Sequence, residues 1–299
     1  MGTVLVYGLG LSGQAVVRRL TAEGTDVLAA DDAAGDRPAE AAAALGVELL
    51  VRPSAAELEA LVPALEEVVV SPGVPAAHPV LSLSGRLPVV SEVELAWRRA
   101  RVPVVAVTGT NGKTTVVTLV TAMLEASGIS AVAAGNIGVP LLDAVAGEAE
   151  VVVAEVSSFQ LALTETFRPA VGAWLNFAPD HLDWHPSLDH YRAAKARLWA
   201  NAGPGDVAVA NVEDAVVAEE AAAAGGRGAT VVGFGLDAGD YRVHRRALVS
   251  PGGVICAVDE LTRPVPHELV DALCAAATAV SAGAHLEGCA RALRDFRGR

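Results

Sequence analysis

At 299 residues the chain is long for a single hydrophobic core, and two domains are the expectation. A hydrophobic fraction of 52% supports a sizeable core and excludes a disordered chain. The formal net charge of −13 argues against a nucleic-acid partner, because no basic stripe is present to neutralise phosphates.

Cys256, Cys274 and Cys289 are scattered and lack metal-ligand spacing, so they read as reduced, buried thiols of a cytoplasmic protein. The N-terminus enters a strand at once, without the basic flank or cleavage site of a signal peptide. The longest apolar runs are too short, or too often broken by charge, to span a bilayer, so no membrane insertion is expected.

In chain order, strands are expected at Val4 to Tyr7, Asp26 to Ala30, Val47 to Val51, Val68 to Ser71 and Pro88 to Val90. Helices are expected from Gln14 to Ala22, Ala39 to Leu45, Ala55 to Leu61 and Glu92 to Arg99. This alternation predicts a parallel sheet covered by helices. A second βα series follows, with strands at Val104 to Val107, Ile129 to Ala133, Val151 to Val156, Val171 to Leu175, Val207 to Ala210 and Thr230 to Gly233. Its helices should begin near Lys113, Ser187 and Ala215. Val243 to Leu248 and Val254 to Val258 read as an antiparallel pair around the Pro251-Gly252-Gly253 turn, and His267 to Gly283 as an alanine-rich helix. The fold class is therefore α/β. A Rossmann-like domain is expected over residues 1–92, followed over 93–299 by an α/β domain of the phosphate-loop type.

Four stretches carry chemistry. Gly8-x-Gly10-x-x-Gly13 follows a strand, opens a helix and has Asp31 where a ribose-binding acid is expected. The same turn suits NAD, any other diphosphate, or plain close helix–strand packing. Thr108-Gly109-Thr110-Asn111-Gly112-Lys113-Thr114-Thr115 follows an apolar strand and enters an apolar helix. Backbone N–H groups from Gly109 to Thr115 would cradle phosphates and Lys113 would add a mobile positive charge. The Thr114 hydroxyl would serve a nucleotide-bound Mg²⁺. The usual loop has glycine at the position held here by Val107.

Glu155 ends an apolar strand, where an acid can hold Mg²⁺, and Ser157, Ser158 and Gln160 follow at once. The segment Asn176 to His185 gathers acids, imidazoles and an amide, and reads either as a polar loop or as part of the site. Zinc is poorly supported there, since Pro186 prevents a regular helix from presenting His181 and His185 together. His78 and His190 read as surface residues. Lys195 is a lone helical lysine, which reads as a solvated face, and spacing alone does not single it out.

Taken together, these words resemble the Mur ligases, and within them the members that add D-glutamate. The matching stretches are Gly8 to Gly13, Ser71-Pro72-Gly73-Val74-Pro75, Thr108 to Thr115, Gly135-Asn136-Ile137-Gly138, Glu155 to Leu161, Asp180-His181-Leu182-Asp183 and Tyr191 to Lys195. The resemblance implies an ATP-dependent amide-bond ligase of peptidoglycan synthesis. It would join D-glutamate to UDP-N-acetylmuramoyl-L-alanine through an acyl phosphate, and act as a monomer. By the same resemblance, Lys113, His181 and Lys195 are catalytic, and Thr114, Glu155, His181 and Lys195 serve up to two Mg²⁺ ions, Lys195 as a carbamate. Leu11, Ser12, Asp31 and Asp32 would meet the uridine end of the substrate. Ser71, Asn136, Ser157 and Gln160 would meet the sugar-peptide.

Two departures stand out. The family's His-Asn-x-x-Asn adenine stretch reads His267-Glu268-Leu269-Val270-Asp271 here, and a carboxylate cannot donate as an amide does. The family also carries a third, amino-acid-binding domain, which is expected beyond Phe296 to Arg299, so the chain is expected to be incomplete for turnover. Rival readings are a folylpolyglutamate synthase-like ligase, a non-catalytic UDP-sugar or nucleotide-binding module and a nicotinamide dehydrogenase.

Overall fold

The computed structural model describes residues 2–33 and 35–298. The first βα series runs β1 (Thr3–Tyr7), α1 (Leu11–Ala22), β2 (Val27–Asp31), α2 (Asp36–Leu45), β3 (Glu48–Val51), α3 (Ala55–Leu61), β4 (Leu65–Val70), α4 (Pro79–Ser82) and β5 (Val89–Ser91). Its strands form one parallel sheet in the order β3-β2-β1-β4-β5. The chain thus reverses its direction of travel across the sheet beside β1, which opens a crevice at the carboxyl ends of β1 and β4.

Helix α5 (Glu92–Trp97) leads into β6 (Val104–Thr108), α6 (Lys113–Ala126), β7 (Ala131–Gly135), α7 (Leu141–Ala144), β8 (Val151–Glu155), α8 (Ser158–Ala162) and β9 (Val171–Trp174). There follow α9 (Leu188–Ala196), β10 (Val207–Asn211), α10 (Ala215–Gly226) and β11 (Thr230–Phe234). This second parallel sheet has the order β11-β10-β9-β6-β8-β7, so β6 sits between β9 and β8 at its own switch point. The strands are near-continuous Val and Ala because both faces are covered. Alternate residues of β6 serve opposite faces: Val105 and Val107 pack on α6, while Val104 and Ala106 join a cluster shared with Val4, Val6 and Leu20 of the first unit.

The region after β11 departs from the sequence reading. Val243 to Leu248 is not one strand. It breaks at Arg245 and Arg246, both left-handed (φ 48° and 61°), into β12 (Arg242–His244) and β13 (Ala247–Ser250), which continue with β14 (Gly253–Ala257) as a three-stranded antiparallel sheet. Helix α11 (Pro266–Ser281) matches the alanine-rich stretch, and α12 (Leu286–Asp295), which sequence reading missed, packs with it against α6. The three cysteines are buried and free. Among the described residues, no helix is long and apolar enough to cross a membrane.

Buried carboxylates on α5 join the two sheet units. Glu94 is fully buried and accepts hydrogen bonds from the backbone N–H of Glu165, Thr166 and Phe167, the Thr166 hydroxyl and Arg98. Burial opposes its charge, yet these donors hold the carboxyl below the usual range. Glu92 is the opposite case. It accepts one N–H from Leu142 at 2.6 Å, and its other oxygen is buried without a partner. Burial therefore pushes its pKa up from 4.5 to about 7, against the Leu142 hydrogen bond and with help from Asp143.

Because the folded pKa is raised, the contribution of Glu92 to stability is intact below the unfolded value of 4.5 and is lost as pH rises through about 7. Glu92→Gln keeps the acceptor without a charge. Thermal melts should show the variant equal to the parent near pH 4.5 and more stable at pH 8, by roughly 2–3 kcal/mol at most. Melting curves that run parallel across that range would contradict the assignment.

Candidate active site

The chain leaves β6 at Thr108, bends through Gly109–Gly112 and enters α6 at Lys113. Gly112 is left-handed (φ 83°), and a Cβ there would lie 2.4 Å from Asp271 Oδ1 and 2.9 Å from a Leu175 methyl, so only glycine fits. Asn176, just past β9, braces the bend. Its Oδ1 accepts the N–H groups of Thr110 and Asn111, both at 2.9 Å, and its Nδ2 donates to the Asn111 carbonyl. The N-terminus of α6 is left with free N–H groups facing the cleft, the physical basis of an anion site. Lys113 Nζ donates to the carbonyls of Gly109 (3.0 Å) and Thr110 (2.9 Å). Burial lowers its pKa, against the charges of Glu155 and Asp180.

Beside this bend, Glu155 ends the neighbouring strand β8 and is 2% exposed. Thr114 Oγ1 donates to its Oε2 at 2.7 Å and Asn136 Nδ2 donates to its Oε1 at 2.9 Å. Thr110 to Thr115, Asn136 and Glu155 line a cleft of 300 Å³. Hydroxyl and carboxylate oxygens side by side suit Mg²⁺, which favours oxygen ligands. Among the described residues, no three His, Cys, Asp or Glu side chains converge to hold a metal. An ion there would therefore draw its remaining oxygens from a ligand or from water, as Mg²⁺ commonly does.

Lys195 corrects the sequence reading of a solvated face. It is 1% exposed, because the side of α9 that carries Tyr191, Ala194 and Lys195 turns inward. Its Nζ donates to the Gly109 carbonyl at 2.8 Å and lies 4.9 Å from the Tyr191 ring centre. Burial, helped by Lys113, pushes its pKa down to about 7. His181 sits on an exposed turn with left-handed backbone (φ 53°). Its ring packs 4.9 Å from Phe159 and 6.1 Å from Tyr191, whose hydroxyl lies 3.2 Å from Thr110 Oγ1. His181 and Lys195 are not among the residues lining the Glu155 cleft; Lys195 meets the bend at Gly109, and His181 reaches it only through Tyr191.

The crevice of the first sheet is a cavity of 560 Å³, and it gathers Leu11, Ser12, Asp31, Asp32 and Ser71. Asp31 is committed to backbone, accepting the N–H groups of Leu9 (2.7 Å) and Ala33 (2.8 Å). Tyr7 donates its hydroxyl to Asp32 at 2.6 Å. His78 is no free surface residue. Its Nδ1 accepts the Val80 N–H, which leaves Nε2 as the donor toward the Tyr7 oxygen (3.0 Å) and Asp32 (3.2 Å). Burial and the Asp32 hydrogen bond raise the Tyr7 pKa further above its usual value.

A second cavity of 300 Å³ is lined by Leu11, Ser12, Asn136 and Gln160, so Leu11 and Ser12 border both. Ser157 lines none of these spaces; its hydroxyl caps α8 by accepting the Gln160 N–H. Gln160 returns the favour through Oε1, and its Nε2 is buried without a partner.

Sequence reasoning did not single out Tyr7, Tyr191 or the bracing role of Asn176. For Asn176 a signal existed: it follows the strand that turns out to neighbour β6, and a polar residue at that edge faces the bend. Tyr7 carried none, since an aromatic at the end of an apolar strand reads as core.

Comparison with known proteins fits this arrangement. The model of the Mur ligase middle domain matches residues 107–262, and that of the MurD-like N-terminal domain of Mur ligases matches residues 2–86. A UDP-N-acetylmuramoylalanine–D-glutamate ligase of Pelotomaculum thermopropionicum is 42% identical over 99% of this chain and 67% of its own. The ligase of the same name from Frankia casuarinae is 43% identical over 98% of this chain and 64% of its own. The chain thus spans about two thirds of the length of these relatives. Among solved structures, a UDP-N-acetylmuramate-alanine ligase of Thermotoga maritima aligns over all of this chain and 69% of its own, with TM-score 0.59 at 24% identity. The UDP-N-acetylmuramate:L-alanyl-gamma-D-glutamyl-meso-diaminopimelate ligase of Neisseria meningitides aligns over 100% of this chain and 99% of its own, with TM-score 0.67 at 19% identity, a likeness of fold alone. On its two domain matches and on relatives above 40% identity along nearly its whole length, the chain belongs to the Mur ligase family.

Proposed function

We propose that this chain acts in the ATP-dependent joining of D-glutamate to UDP-N-acetylmuramoyl-L-alanine, the reaction for which its relatives are named. One observation carries the reading. The α6 N-terminus, Lys113 and the Thr114–Glu155 pair converge on one cleft, which opens beside cavities bordered by the first sheet. Residues 1–92 would hold the UDP end of the substrate and residues 93–299 the nucleotide.

In this reading the triphosphate lies on the Gly109–Thr115 bend. Lys113 leaves the carbonyls of Gly109 and Thr110 to meet it, trading two neutral acceptors for an anion. Mg²⁺, held by Thr114 and Glu155, would neutralise charge on the phosphates. The alanyl carboxylate of the UDP-sugar attacks the γ-phosphorus, giving an acyl phosphate and ADP. The D-glutamate amine then attacks the acyl carbon, and phosphate leaves. Transfer between two anions requires placement and charge neutralisation above all, which is what this cleft supplies.

The buried Gln160 Nε2, with no protein partner, is a donor suited to the sugar-peptide in the cavity it borders. Leu11, Ser12, Asp31 and Asp32 would meet the uridine end, and Ser71 and Asn136 the sugar-peptide, while Ser157, occupied as the α8 cap, is withdrawn from the substrate set. His181 would assist a second Mg²⁺. Asp271 differs from the amide of relatives in a way that burial softens: its pKa is pushed from 3.8 up to about 7, with Glu268 adding to the effect. A carboxyl near half-protonation recovers part of an amide's capacity to donate.

Mg·ATP titrations should show Lys113→Ala weakening nucleotide binding at least about tenfold, with UDP affinity unchanged. ADP release that depends on the UDP-sugar should fall roughly 100-fold. Equal nucleotide affinity in parent and variant would remove the reading.

Lys195 is assigned as the carbamylated lysine. Its amine, near neutrality because it is buried, attacks CO₂, loses a proton, and becomes an anion between Gly109 and Tyr191. At fixed dissolved CO₂, ¹³C NMR should show a carbamate signal that grows from about pH 6 to about pH 8, as the amine loses its charge. The signal should vanish in Lys195→Ala, and its survival there would assign the carbamate elsewhere.

A further inference from the structure

Trp184 lies on the His181 turn and is half-buried. Its indole N–H donates at 2.9 Å to the carbonyl of Val74, a residue 110 positions away that lines the 560 Å³ cavity of the first sheet. Among the described residues, this is the one hydrogen bond between the segment 176–187 and the first sheet unit. The other ends of both partners are tightly held. Val74 belongs to a turn closed by its own N–H on the Ser71 carbonyl, and Ser71 Oγ donates to Gly8. The Trp184 ring packs 4.9 Å from Phe159, which also touches His181 at 4.9 Å. The backbone N–H groups of Trp184 and His185 both donate to the His181 carbonyl, at 3.1 and 2.9 Å. His185 in turn meets Ser158 Oγ at 2.9 Å. One N–H and one tilted ring contact thus connect the Ser71–Val74 turn to the backbone that sets the His181 ring.

We propose that Trp184 is a positioning residue that couples filling of the first-sheet cavity to the placement of His181 beside the phosphate bend. The inference rests on the reading of that cavity as the UDP site. Its physical content is a reciprocal linkage: a ligand that fixes the Val74 carbonyl also fixes the turn, and so favours nucleotide on the other side.

The test uses UDP as the probe of the cavity and the Mg²⁺ complex of a non-hydrolysable ATP analogue as the probe of the bend. In the parent chain, UDP should alter tryptophan emission and tighten analogue binding about fivefold or more. Trp184→Phe keeps a ring against Phe159 but removes the N–H. It should bind each probe alone within about twofold of the parent, while the emission change disappears and the coupling falls to near unity. Full coupling in Trp184→Phe, or no coupling in the parent, overturns the proposal. Hydrogen exchange on the parent needs no variant. UDP should slow the Trp184 and His185 amides, and unaltered exchange there overturns the proposal even if Trp184→Phe fails to fold. UDP binding without coupling defeats this inference alone, whereas no UDP binding at all defeats the reading of the cavity beneath it.

Discussion

Two amines share one carbonyl. Lys113 and Lys195 both donate to the Gly109 oxygen, at 3.0 and 2.8 Å, in a place where neither is well solvated. Lys113 has the Thr110 carbonyl as a second acceptor, but neutral acceptors only partly offset two cations, so the low dielectric surroundings penalise the doubly charged state. The conflict falls hardest on the more deeply buried Lys195. An acidic chain has thus concentrated positive charge at one bend, and that bend is poised to accept anions. In the proposed reading, phosphate at the α6 N-terminus and a carbamate on Lys195 would each relieve the same strain.

The rest of the second sheet serves to keep this bend in shape. Asn176 ties the loop to the end of β9, and Glu155 and Asn136 meet at the ends of β8 and β7. These strands neighbour β6 because the chain order switches there, so parts far apart in sequence arrive at one edge. The sheet has no other means of placing an amide, a carboxylate and a helix N-terminus within a few ångströms of one another.

Much of this was legible in the sequence. Runs such as Val104–Thr108 and Val151–Glu155 are short, β-branched and bounded by turn residues, as covered parallel strands are, and the glycines ahead of Lys113 marked the bend between β6 and α6. What could not be read was anything depending on which face of a short helix turns inward. Tyr191, Ala194 and Lys195 are a buried stripe in the structure, yet their spacing is equally that of a solvated helix with one apolar side. The 243–248 stretch failed for a different reason. Arginine is a poor sign of a turn, and only the left-handed backbone of Arg245 and Arg246 reveals that the run folds back on itself.

The two sheet units meet through contacts of unlike character, and the difference bears on function. Along α5 the ties are buried carboxylates: Glu94 with its five donors, and Glu92 with one. Parting α5 from residues 165–167 would take four of the five donors from the buried Glu94 charge, so that side resists opening. Beside the cleft the tie is a single neutral hydrogen bond from Trp184 to Val74, worth only about 1 kcal/mol by itself. The junction is thus held firmly along α5 and lightly beside the cleft, which leaves the cleft side the easier of the two to adjust.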